Sequence, residues 1–156
     1  MRALSLDELA TQAQAVVQAQ AVDRLSYWEN GRILTRITLH IEEVWRNNSQ
    51  EPLPSELDLV TLGGVVGEIG QVAHGAVSFE PGERAIIFLT RRAQTYRALG
   101  MAQGLFYIHP GAFIEASPTL KRRLEEIRLE GPHAVGPFPN TLKTLRRAVQ
   151  RASHAH

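Results

Sequence analysis

The chain contains no cysteine. That absence excludes disulfide staples, zinc–thiolate centres and thiol nucleophiles. Aromatic residues are scarce, at 6%, and none interleave with the basic segments as a base-stacking surface would need. Neither sign of charge dominates: 17 Lys and Arg face 16 Asp and Glu, for a net charge of +1. The balance supplies no global pull toward nucleic acid or an anionic membrane. No run of about 18 apolar residues occurs, so no transmembrane helix is expected. Met1-Arg2-Ala3-Leu4-Ser5 lacks the apolar stretch of a signal peptide. Two compartments follow: exported (periplasmic or extracellular) if a leader has been replaced by Met1, cytoplasmic otherwise. There is also no internal repeat of the length that builds solenoids.

What is present suits one globular domain. At 156 residues, 44% apolar and 21% charged, the chain can bury roughly 70% of its unfolded surface and build a core without staples. Ser5-Leu6-Asp7-Glu8 is a capping-box signature, predicting a short helix to about Ala13. The segment Ala15–Val22 reads as continued helix or as strand. A strand is favoured because Asn30-Gly31, two residues that tolerate positive φ, marks a hairpin turn after Tyr27-Trp28. Ile33, Thr35, Ile37, Leu39 and Ile41 then alternate with Leu34, Arg36, Thr38, His40 and Glu42, which is the period of a strand with one core face. Leu57, Leu59 and Thr61 predict another strand. Ala85–Leu89, apolar on both faces, predicts a central buried one. Extended runs follow at 96–102 and 104–108, and His109-Pro110-Gly111 reads as the end of the β region. Helical spacing returns over 117–128 and 141–152, the second capped by Asn140.

No complete catalytic constellation emerges. Gly63-Gly64-Val65-Val66-Gly67-Glu68-Ile69-Gly70 lacks the GK[ST] of a phosphate loop and is not followed by an amphipathic helix. Its glycines read instead as a bent or bulged β segment. The six histidines show no HExxH spacing. His74 stands out because its glycine-rich neighbourhood can expose it, and Glu68 is a lone acid near it. Glu42 and Glu43 point to opposite faces of a regular strand and cannot form a dyad. Lys143, Arg147 and Arg151 form one row of the last helix and read as a solvated face. Tyr27 and Trp28 beside the Asn30-Gly31 turn either anchor a partner or close one end of the domain; the sequence leaves both open.

The order of segments resembles that of small bacterial exported domains. Ala15–Val22 followed by Arg32–Trp45 is similar to their first hairpin, Gly63–Val72 followed by Phe79–Leu89 to their middle, and Gly100–Phe106 to their last hairpin. The resemblance covers about residues 5–110. It implies the oligonucleotide/oligosaccharide-binding barrel of netrin-like and metalloproteinase-inhibitor-like modules. Those inhibitors place an N-terminal cysteine on the protease zinc; with no cysteine here, that chemistry does not transfer.

Together these readings predict a mainly β protein: a small antiparallel barrel of five or six strands with a short N-terminal helix over 1–116, and a helical C-terminal extension over 117–156 packed on it. The predicted role is a non-enzymatic module binding an unknown protein partner, with no cofactor, no metal and no membrane span. Its surface is placed at Tyr27, Trp28, Asn30, Gly64, Gly67, Glu68 and His74. Two alternatives remain: a hydrolase or other enzyme centred on His74 and Glu68, and oligonucleotide or sugar binding on Arg36, Thr38 and His40. The charge balance disfavours nucleic acid.

Overall fold

The computed structural model describes residues 5–72, 79–100, 104–111, 113–116 and 141–153. Helix α1 (Leu6–Gln12) begins where the capping box predicts. The Glu8 amide donates to Ser5 Oγ and the Ser5 amide to Glu8 Oε1, both at 3.1 Å. Its far end is held from a distance: Asn48 Nδ2 donates to the carbonyls of Ala10 and Ala13, each at 2.8 Å. These bonds fasten the helix to the end of the second strand and bury Leu9 and Ala10.

Strands β1 (Ala15–Glu29) and β2 (Arg32–Asn47) form one long hairpin. Its turn has Asn30 at φ 51° and Gly31 at φ 79°, the positive pair that matches strand twist. Register shifts at Val16/Val17, Gln18/Ala19 and Ala21/Asp23 bend β1. Its first residues can therefore pair with β2 on one edge and with β6 (Arg84–Arg92) on the other, from Ala15↔Leu89 to Gln20↔Arg84. β3 (Glu56–Leu62) lies antiparallel beside β2. A separate short hairpin follows, β4 (Gly64–Val66) and β5 (Ile69–Gln71). β6 then pairs with β7 (Thr95–Ala98) and β8 (Leu105–His109), and β8 with β9 (Phe113–Ala116). Helix α2 (Leu142–Arg151) buries Leu145 and Val149.

The expected barrel is corrected. Among the described residues the main sheet has seven strands in the order β1-β2-β3-β7-β6-β8-β9, and it is mixed. β3 and β7 run parallel and meet at one residue pair, Leu59↔Tyr96. A single pair is not a continuous ladder, so the fold is a seven-stranded mixed sheet with a helix at each end rather than a closed antiparallel barrel of five or six strands. Alternation reports which residues share a face; it carries nothing about which distant strand lies alongside. The strand count was also too low because β9 continues past His109-Pro110-Gly111, which is a hairpin turn and not the end of the β region. The predicted helix over 117–128, and most of the 117–156 extension, lie outside the described residues.

Two apolar clusters share β6. Ala85, Ile87 and Leu89 join Val17, Ala19, Ile37, Leu39, Leu59 and Phe79 on one side. Ile86 and Phe88 join Leu9, Val16, Trp45, Phe106, Leu145 and Val149 on the other, under the two helices. Phe88 and Phe106 meet at a ring-centroid distance of 6.0 Å. Ile37, Leu39, Ile86 and Phe88 are buried as expected, whereas Leu99 is only half-buried. Among the described residues, no helix is long and apolar enough to cross a membrane.

Candidate binding surface at the hairpin tips

Beyond Ala21, β1 leaves β6 and keeps only β2 as a strand partner, while β2 stays paired with β3 from Leu34 to His40; β4 and β5 pack against this outer part of the hairpin. The docking is specific. Ser26 Oγ and Thr35 Oγ1 lie 2.8 Å apart across the hairpin, and Thr35 Oγ1 donates to the Gly63 carbonyl at 2.7 Å. The Gly63 amide donates to the Ile33 carbonyl at 2.8 Å. The Ile33 amide in turn donates to Gln71 Oε1 at 2.7 Å. Gly64 sits at the centre with φ 136°, and a Cβ there would fall 2.4 Å from both Ser26 Oγ and Thr35 Oγ1. Only glycine permits this approach.

The structure brings Tyr27, Trp28 and Asn30 onto one hairpin and Gly64, Gly67 and Glu68 onto the second, which is packed against the first. Trp28 is 46% exposed and Tyr27 half-buried. Asn30 has its own task in the turn, as does Gly67, at φ 60° with open space around it. Glu68 is exposed beside it. His74 lies outside the described residues. Sequence reasoning did not single out the apolar side chains exposed on and just after the second hairpin: Val65 at 65% and Ile69 at 54%, on its opposite faces, and Val72 at 99%. Their signal was available, since a valine-rich stretch among glycines has little room for a core of its own.

The other candidates take less distinctive places. Arg36 and His40 are exposed on β2, but Thr38 donates to Asp58 Oδ1 at 3.3 Å and His40 stands opposite Glu56, so carboxylates interleave with that row. On α2, Arg146 pairs with Glu43. Arg46 donates to the carbonyls of Val149 and Ala152 at 3.1 and 2.6 Å, closing the helix C-terminus. Among the described residues, no group of three or more His, Asp or Glu could hold a metal ion. A hollow of about 470 Å³ is lined by Glu83, Arg84, Tyr107 and His109 among others. Burial, then the carboxylates of Glu83 and Glu115, push the Tyr107 phenol up from 10.0 to about 12.

Neither a family model, nor a curated protein, nor a solved structure matches this chain.

Proposed function

We propose that this chain is a non-enzymatic binding module for another protein, and that the paired hairpin tips are its contact surface. The observation that carries this is the exposure of Trp28, Val65, Ile69 and Val72 on two hairpins held together around Gly64. Large apolar side chains left exposed on two adjoining hairpins are candidates for interaction sites. Tryptophan is among the residues enriched at the energetic centres of interfaces. Rigidity matters because a preordered surface loses less conformational entropy on binding. The glycines of the second hairpin leave main-chain groups open beside the rings and branched side chains.

The test is a photo-crosslinking residue at position 28 to capture the partner, followed by affinity and melting measurements on Trp28→Ala. The expected result is affinity weakened by more than about 2 kcal/mol with the melting temperature unchanged. A lowered melting temperature with unaltered affinity of the folded fraction would instead make Trp28 a structural residue.

A further inference from the structure

A second feature adjoins these tips. A cleft of about 590 Å³ opens beside the β6–β7 turn, and its described lining includes Arg32, Arg91, Arg92 and Arg97 together with Thr90 and Gly100. Arg32 also lines a hollow of about 150 Å³ with Gln71 and Val72. The cationic cleft and the apolar hairpin surface therefore abut at Arg32.

Charge in the cleft is unbalanced. Arg91 is occupied: Nη1 lies 3.4 Å from Glu51 Oε2, and Nε donates to the Ala93 carbonyl at 2.9 Å. Among the described residues, Arg32, Arg92 and Arg97 form no ion pair. Arg97 Nε is buried and has no acceptor. No carboxylate belongs to the described lining. Arg97 is half-buried, so part of the desolvation cost of its charge is already borne, and an arriving oxyanion gains more there than at a fully solvated arginine. The planar guanidinium fork matches a carboxylate in two-point geometry.

We infer that this cleft receives acidic side chains of the partner, with Arg32, Arg92 and Arg97 holding carboxylates while the hairpin tips cover apolar residues. This rests on reading the tips as a protein-binding surface. Carboxylates are favoured over a nucleic-acid backbone by the surroundings. No aromatic ring belongs to the described lining to stack a base. Apolar side chains border the cleft, and the whole chain carries a net charge of only +1.

The experiment uses the full chain and three fluorescent probes: a glutamate-rich peptide carrying leucines, the same peptide with lysine for glutamate, and oligothymidylate. The glutamate peptide should bind, its lysine counterpart should not, and oligothymidylate should bind more weakly. Arg92→Ser and Arg97→Met should each weaken binding of the glutamate peptide by about tenfold. Arg92 is exposed, so its variant reports on the cleft even if Arg97→Met unfolds. Equal binding of the two peptides, unchanged affinity in Arg92→Ser, or tighter binding of oligothymidylate overturns the inference. Trp28→Ala, run in parallel, separates the two ideas. Loss in the arginine variants alone keeps the carboxylate cleft and removes the tips from the interface. Loss in Trp28→Ala alone keeps the tips and overturns the cleft.

Discussion

The two halves of β1 have opposite fates. From Ala15 to Ala21 nearly every residue is buried, on both faces of the strand; from Val22 to Glu29 none is fully buried. The difference lies in what flanks them. The first half is paired with β2 on one edge and β6 on the other, and helices cover one face. The second half, among the described strands, is paired with β2 alone. A strand paired on both edges and covered on both faces becomes structural core. The same strand continued past its second neighbour becomes surface, free to carry Trp28 outward. Stability and recognition are thus divided along one continuous element, and each should respond separately to substitution.

The sharpest break in that division is Phe88→Ala, on β6 opposite Val16 in the sheltered half of β1. It should cost about 3–5 kcal/mol in denaturant unfolding, from lost transfer energy plus the cavity left behind. Next is Gly64→Val, at the junction of the two hairpins. Backbone strain at φ 136° and the collision with Ser26 and Thr35 should together cost about 2–3 kcal/mol. The disturbance should be local: amide exchange should accelerate at Ile33 and Gly63 while amides of β6 keep their protection. Global loss of protection would mean that the halves fold as one unit.

Ser5→Ala should cost about 1 kcal/mol, because it opens the capping box of α1 without touching the tips. A chemical-denaturation midpoint measures it, and unchanged peptide affinity in the same variant supports the separation. A separate effect, confined to alkaline pH, is expected at Tyr107. The Tyr107 phenol sits at 10.0 in the unfolded chain and about 12 in the folded one, so the unfolded chain loses its proton first. The stabilisation is complete below pH 10 and is lost as pH rises from 10 to about 12. Ultraviolet titration of tyrosinate, compared with Tyr107→Phe, should show one late-ionising phenol disappear.

Local signals were legible wherever the chain contacts its own near neighbours. Ser5 and Glu8 marked a helix start because a capping box needs only four residues. Asn30-Gly31 marked the turn because its backbone angles are set by the turn itself. The alternation from Ile33 to Leu39 identified the buried face correctly. One local reading slipped by a residue, since Thr141 rather than Asn140 caps the last helix; the larger failures were non-local. The parallel meeting of Leu59 with Tyr96 and the use of both edges of β1 leave no period in the sequence. The cationic cleft was likewise invisible, since Arg32 is far along the chain from the hairpin that carries Arg92 and Arg97 and meets them only through tertiary packing. For the binding surface, Tyr27 and Trp28 were conspicuous as large rings beside a turn. Val65, Ile69 and Val72 were overlooked because branched side chains in a strand usually face a core.

By itself the sequence determined the absence of thiol chemistry, the capped first helix, the Asn30-Gly31 hairpin and a β6 buried on both faces. Each depends on composition or on neighbours within a turn or two. The tertiary structure alone decided that the sheet is mixed and seven-stranded, that Gly64 is pressed against Ser26 and Thr35, and that four arginines meet in a cleft whose described lining holds no carboxylate. Those outcomes depend on which distant segments come together, and that is settled by the packing of the whole chain against conformational entropy rather than by any local preference.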